Sequence, residues 1–223
     1  MNNCYSQSTC FDLALLGCES YHNNIINNIW NKRNYIIERE KEIKSSVKYE
    51  LFDNVGYNIL GAKTGGGDGY HVMIAVTEIN NKIICGVIYG TYTSDDRFYA
   101  MIELFDVLSN KKNNVIKARK AIALDIETKE VLYNKDGYSS IVPMSTTKLL
   151  TILTASNYIN IHKNVTVIND DLDEELCIVS SCMFKSGDTV TVKDLIYASL
   201  LPSSNQSANI IARIAGEQII NNV

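Results

Sequence analysis

The stretch "YHVMIAVTEINNKIICGVIYG", residues 70–90, constrains the fold more than any other part of the chain. Two runs rich in β-branched residues flank the link "INN", and that combination signals a hairpin. A third strand-like run, "YNILGAK", precedes them at 57–63. Beyond residue 119 the pattern restarts, with "KAIALDIETKEVLYNKDG" reading as a further hairpin turned at "ETKE". Strands therefore cluster at 57–90 and 120–134.

Helical spacing occupies the remainder. Residues 9–30 space Leu13, Leu16, Ile25, Ile26 and Ile29 along a helix, with Ser8 or Thr9 as N-cap and Asp12 in the first turn. "SDDRFYAMIELFDVL" at 94–108 is an amphipathic helix with a Ser/Asp cap. Three more helices follow in "MSTTKLLTILTASNYI", "TVTVKDLIYASLL" and "NQSANIIARIAGEQII". Residues 31–57 are charged and turn-rich, with "EREKEIK" reading as a solvated face, and 109–120 is a polar connector. Helices on an antiparallel sheet, an α+β arrangement over 1–223 in one sizeable domain or two small lobes sharing a core, account for this distribution.

Composition narrows the partners. An apolar content of 46% with 21% charged residues describes a soluble globular protein. A formal charge of −4 argues against nucleic acid, because phosphate binding needs a basic surface. No run approaches the roughly 20 apolar residues of a membrane span. "MNNCYSQSTC" lacks a basic-then-apolar export pattern, so either the protein stays in the cytoplasm or its signal lies outside this sequence. Cys4, Cys10, Cys18, Cys85, Cys177 and Cys182 show no C-x-x-C spacing and only three histidines accompany them, so no metal site is expected. For Cys177 and Cys182, free buried thiols are preferred to a disulfide.

Three short stretches could carry chemistry. "GYNILGAKT" nearly spells a phosphate-binding loop, but Ala62 intrudes before Lys63 and a strand follows where a helix should aim its N-terminus at the anion. Ser145-Thr146-Thr147-Lys148 sets a serine and a lysine three apart, on one helix face. A serine needs a base in reach to act as nucleophile, and a buried lysine can serve. Ser203-Ser204-Asn205, in a turn between two helices, could relay a proton and hold a substrate amide, or could simply cap and turn.

Taken together, S-x-x-K, S-x-N and the K-T-G of Lys63-Thr64-Gly65 are the motifs of penicillin-recognising serine acyltransferases. The chain resembles the D-alanyl-D-alanine carboxypeptidases among the low-molecular-mass penicillin-binding proteins. "AIALDIETKEVLYNKD…PMSTTKLLTILTA" is similar to that family's opening hairpin and nucleophile helix, and "SGDTVTVKDLIYASLLPSSNQSANIIARIAG" to its S-x-N segment. "STCFDLALLG" and "GAKTGGGDGYHVMIAVTEINNKIICGVIYG" resemble its later helix and K-T-G sheet.

The resemblance implies a β-lactamase/transpeptidase-like fold: a five-stranded antiparallel sheet with flanking helices plus a helical lobe. It departs from the family in order, since K-T-G here comes first. The chain therefore reads as circularly permuted, with 1–108 the family's C-terminal half, 109–119 the joining linker and 120–223 its N-terminal half. Such re-cutting is tolerated where native termini lie close together at the surface. A helix and loop that the family carries between its S-x-N helix and the "STCFDLALL" helix have no counterpart, which implies a reduced or open helical lobe.

Roles follow residue by residue from the resemblance. Ser145 is implied as nucleophile, Lys148 as general base, Ser203 as proton shuttle and Asn205 as holder of the acyl-chain amide. The backbone N–H groups of Ser145 and Gly66 would form the oxyanion hole, and Lys63 and Thr64 would bind the terminal carboxylate beside Gly65. Ser204 replaces a common glycine and Gln206 a common aspartate, changes that could narrow the cleft. The implied substrate is a peptidoglycan stem peptide ending in D-Ala-D-Ala, with β-lactams as covalent inhibitors, no cofactor and a location facing the cell wall. A catalytically idle domain that binds peptidoglycan or a protein is the rival reading. A β-lactamase is less expected, because Glu217 is the one glutamate downstream of S-x-N. The oligomeric state stays open.

Overall fold

The computed structural model describes residues 6–37, 41–67, 69–111, 115–172 and 183–221. In chain order the first elements are β1 (Ser8–Thr9), α1 (Cys10–His22), α2 (Asn24–Asn27), β2 (Asn34–Ile37), β3 (Lys41–Lys44) and α3 (Tyr49–Asp53). There follow β4 (Ile59–Gly67), β5 (Tyr70–Ile79), β6 (Lys82–Thr91) and α4 (Asp96–Leu108). Then come β7 (Lys120–Asp125), β8 (Val131–Lys135), β9 (Ser140–Ile141), a 3-10 turn (Met144–Thr146) and α5 (Thr147–Ala155). The last elements are β10 (Asn164–Thr166), a second 3-10 turn (Asn169–Asp171), β11 (Thr189–Thr191), α6 (Val192–Leu200) and α7 (Asn205–Asn221). They form two compact units, one of Met1–His22 with Lys48–Thr147 and one of Asn23–Val47 with Lys148–Val223.

The first unit is built on the five-stranded antiparallel sheet, in the order β4-β5-β6-β7-β8. Its β5–β6 hairpin turns at Asn80 and Asn81, whose φ of 53° and 60° lie in the left-handed region that asparagine tolerates best after glycine. Successive strand residues face opposite sides, and β6 uses both sides. Cys85 faces α1, while Gly86 faces Met101, Leu104 and Phe105 of α4. Helices thus cover the two faces of the sheet, which explains why Ile84 to Thr91 are buried without polar alternation.

Capping fixes where these helices start. Thr9 and Asp12 exchange backbone and side-chain hydrogen bonds at 2.9 and 3.0 Å, a reciprocal cap at the expected start of α1. Thr93 and Asp96 do the same for α4 at 3.0 and 3.2 Å, one residue before the Ser/Asp cap that the sequence suggests. The long helix expected over 9–30 ends at His22. There Asn23 turns its side-chain oxygen to the N–H groups of Ile25 and Ile26, both at 3.1 Å, and starts the separate turn α2.

In the second unit, residues 31–47 of the charged, turn-rich stretch hold more structure than their charge suggests. β2 and β3 pair from Asn34↔Lys44 to Ile37↔Lys41, with Ile37 and Ile43 buried. Lys41, Glu42 and Lys44 are solvated as expected, so one apolar residue per strand face carries the hairpin. Glu38, Arg39 and Glu40 lie outside the described residues. Tyr35 anchors the hairpin, stacking on Tyr197 at 3.6 Å and donating to buried Asp194 at 2.9 Å. Asp194 also completes a capping box with Thr191 at the start of α6. Arg213 of α7 clamps the buried Asp171 carboxylate through Nε and Nη2 at 2.8 and 2.9 Å.

Among the described residues no helix is long and apolar enough to cross a membrane. No group of three or more His, Cys, Asp or Glu residues among them could hold a metal ion. Cys10, Cys18 and Cys85 are free and buried, whereas Cys177 and Cys182 lie outside the described residues.

Candidate active site

In the first unit the candidate residues lie on β4 and on the 3-10 turn that leads into α5. β4 is at the end of the strand order, with β5 its one partner in the sheet. Lys63 is fully buried and its Nζ donates to the Thr64 carbonyl at 2.9 Å; Thr64 is also buried. Gly65 pairs with Val72 and Gly66 with His71. A Cβ on Gly65 would stand 2.8 Å from Val72 Cγ1, 3.0 Å from Met144 Cβ and 3.0 Å from the Ser145 backbone nitrogen. The first of these is closer than real Cβ atoms come and the other two are tighter than most, so the bare backbone at 65 relieves crowding where β4 approaches the residue carrying the nucleophile motif.

Backbone strain marks the same turn. Met144 has φ of 52°, a conformation costing an L residue roughly 1–2 kcal/mol, immediately before Ser145. Thr147 Oγ1 donates to the Met144 carbonyl at 2.9 Å and helps to hold the turn. Beside Gly66 stand two residues that sequence reasoning did not single out. The His71 ring nitrogen Nδ1 lies 2.6 Å from where a Gly66 Cβ would be, and Arg97 Nη1 3.6 Å. Arg97 donates to the Gly65 carbonyl at 3.3 Å. Burial, then the Arg97 charge, lowers the His71 pKa, which favours the neutral imidazole. His71 could have been found by counting back across the hairpin that joins β4 to β5.

In the second unit the decisive residue is Lys148. The residue is 5% exposed, and burial lowers its pKa from 10.5 to about 8. Nζ donates to Asn205 Oδ1 at 2.6 Å. Asn205 is the first residue of α7, and Ser203, within the S-x-N motif, precedes it with a strained φ of 68°. Ser204 is buried, and its Oγ accepts from the Ser207 N–H at 3.2 Å, capping α7. Gln206 is buried too. Its Oε1 accepts from the Met183 and Phe184 N–H groups, both at 3.1 Å, and its Nε2 donates to the Phe184 carbonyl at 2.9 Å. Both departures from the family pattern therefore turn inward and serve the fold.

The structure brings Gly65 to the Ser145 backbone in one unit, and Lys148 to Asn205 in the other. Ser145 and Lys148 follow one another along one helical segment, the 3-10 turn and the first turn of α5. Within the second unit, a buried amine held by an amide is suited to accepting a proton. Residues 107–219 match the D-alanyl-D-alanine carboxypeptidase family. The chain belongs to this family. The match takes in the S-x-x-K and S-x-N motifs and ends short of none of their residues, while β4 lies outside it. The chain matches no curated protein and no solved structure. Membership of the carboxypeptidase family gives the buried lysine a chemical context, since a lysine with an ordinary pKa would be fully protonated at neutral pH.

Proposed function

We propose that this chain is a serine D-alanyl-D-alanine carboxypeptidase acting on peptidoglycan stem peptides and captured covalently by β-lactams. The observation that carries the reading is Lys148: a buried amine with a pKa of about 8, three residues after Ser145 in a family member. Ser145 Oγ attacks the carbonyl carbon of the penultimate D-alanine while neutral Lys148 takes the hydroxyl proton. The backbone N–H groups of Ser145 and Gly66 stabilise the oxyanion. Ser203 passes a proton to the leaving D-alanine amine, Asn205 orients Lys148 and the acyl-chain amide, and water then cleaves the Ser145 ester. Lys63, buried on β4, contributes positive charge for the terminal carboxylate, and Thr64 a hydroxyl donor. Gly65 and Gly66 give an extended substrate backbone close access to the strand, in the manner of strand addition at a sheet edge.

The β-lactamase reading finds no support at Glu217. Its carboxylate accepts from Arg213 Nη1 at 2.9 Å and its side chain is 54% exposed, a surface pair rather than a water-activating base. We further propose that the family's two halves are permuted here. The S-x-x-K and S-x-N motifs fall in the family match, and β4 with K-T-G precedes it while sharing one sheet with β7 and β8. A site facing the cell wall follows from the proposed substrate.

A fluorescent penicillin tests the function. Labelling of the folded protein that disappears in Ser145→Ala, with release of D-alanine from a D-Ala-D-Ala peptide, is the expected result. A folded protein that takes no label is the idle binding domain instead.

A further inference from the structure

The first unit holds a pair of thiols that the proposed reaction does not use. Cys18 lies on α1 and Cys85 on β6, the middle strand of the sheet, and both are fully buried. Their side chains are hydrogen-bonded to each other. The contact is made possible by Gly17. A Cβ there would sit 2.4 Å from Cys85 Sγ and 2.9 Å from Ile74 Cγ2, so only glycine lets the helix backbone settle directly over the Cys85 sulfur. The adjacent residue on the helix then brings its own sulfur alongside. Cys10, also buried on α1, faces the charges of Lys120 and Asp136 instead of a second sulfur.

We propose that Cys18 and Cys85 are an oxidisable dithiol, converted by a small peroxide into a disulfide that ties α1 to the centre of the sheet. Cys18 is the attacking sulfur. The Cys85 hydrogen bond, and to a smaller extent the Lys129 ammonium, lowers its pKa, while the same hydrogen bond and burial raise that of Cys85. Lys129 is itself paired with Glu19 of α1 at 3.3 Å, so its charge stays near the helix. Because both sulfurs are buried, the oxidant must be small and must enter during local opening of the helix.

The Cys18 thiolate attacks one peroxide oxygen. The O–O bond breaks, and the departing oxygen takes up a proton and leaves as water, giving a sulfenic acid. Cys85 sulfur then attacks Cys18 sulfur; the S–S bond forms, the S–O bond breaks, and the leaving hydroxide accepts the Cys85 proton as a second water. Two thiols lose two electrons in all, and one hydrogen peroxide becomes two waters. The bond closes a loop from residue 18 to residue 85 that contains β4, so it restricts the unfolded chain and raises the thermal midpoint.

The test treats the intact protein with hydrogen peroxide, unfolds it in the presence of an alkylating agent, and maps its peptides without reduction. The expected result is a cross-linked peptide joining Cys18 to Cys85, Cys10 recovered alkylated, and a raised thermal midpoint that dithiothreitol reverses. In Cys18→Ala the same treatment leaves Cys85 alkylatable and the midpoint unchanged. Should that variant not fold, the wild-type peptide map decides alone. Recovery of both thiols alkylated, of Cys18 as sulfinic acid beside reduced Cys85, or of either residue bonded to a different cysteine overturns the proposal.

Discussion

Lys148 Nζ donates to Asn205 Oδ1 across 2.6 Å, joining the first turn of α5 to the first residue of α7. The partner is an amide, and that choice has an electrical consequence. A carboxylate there would stabilise the ammonium and raise its pKa, whereas an amide orients the amine through a dipole and leaves burial to govern its charge. The result is a lysine with a pKa of about 8.

Acylation by penicillin is therefore expected to rise with pH through about 8, as the neutral amine becomes populated. Asn205→Asp supplies the missing carboxylate and should move that midpoint up by about one pH unit or more. Second-order labelling rates from pH 6 to 10 measure both. A profile that does not move in Asn205→Asp would separate Lys148 from proton removal.

The same burial predicts a pH effect on folding. The lysine titrates near 10.5 when unfolded and at about 8 when folded, so between these values the unfolded chain binds more protons. Stability contributed by this group must then increase as pH rises from 8 to 10.5, by on the order of 3 kcal/mol. Lys148→Met should abolish that increase and also abolish penicillin labelling. Urea titrations of the two proteins at matched pH values provide the comparison.

Gly65→Ala places a methyl group within 3.0 Å of both Met144 Cβ and the Ser145 nitrogen. The expected cost is about 1–3 kcal/mol, because the contact is with backbone and cannot be relieved by a rotamer change. Labelling should fall further than stability alone explains, since the displaced atom belongs to Ser145. Urea denaturation alongside labelling of the folded fraction distinguishes the two losses.

Arg213 makes two ion pairs of unequal worth. Asp171 is buried and doubly contacted, so Asp171→Asn should destabilise the chain by about 2–3 kcal/mol. Glu217 is exposed on the next turn, and Glu217→Gln should cost less than about 1 kcal/mol. Thermal and chemical denaturation of the two variants, side by side, should show this difference.

At the hairpin turn, Asn81 holds φ of 60°. Asn81→Gly removes the side-chain strain and should stabilise the protein by about 0.5 kcal/mol, leaving penicillin labelling unchanged. A destabilised variant would mean that the asparagine side chain supports the turn.

Much of this was readable from residues alone, for physical reasons that differ between elements. The β5–β6 hairpin was legible because its turn residues and β-branched flanks point to the same structure. The β2–β3 hairpin was hidden because only Ile37 and Ile43 are buried, too few for a period of two to emerge from a charged run. S-x-x-K spacing placed Ser145 and Lys148 on one segment, but the strained Met144 and the burial that sets the lysine pKa depend on packing from distant parts of the chain. Ser204 and Gln206 were legible as departures from a motif. Their capping and backbone-bracing duties required the Phe184 and Ser207 contacts to be seen.

The strand order β4-β5-β6-β7-β8 has a kinetic consequence. Every pairing in the sheet joins a strand to the next one in the chain, so none must wait for a distant terminus to be made. Assembly can begin at the Asn80-Asn81 turn and spread outward, with α4 docking before β7 arrives. Pairing chain neighbours keeps the sequence separation within the sheet shorter than a crossed order would, and shorter separations speed folding. An ordering with β7 and β8 at the front of the chain would close the same sheet only after a long loop had been drawn in.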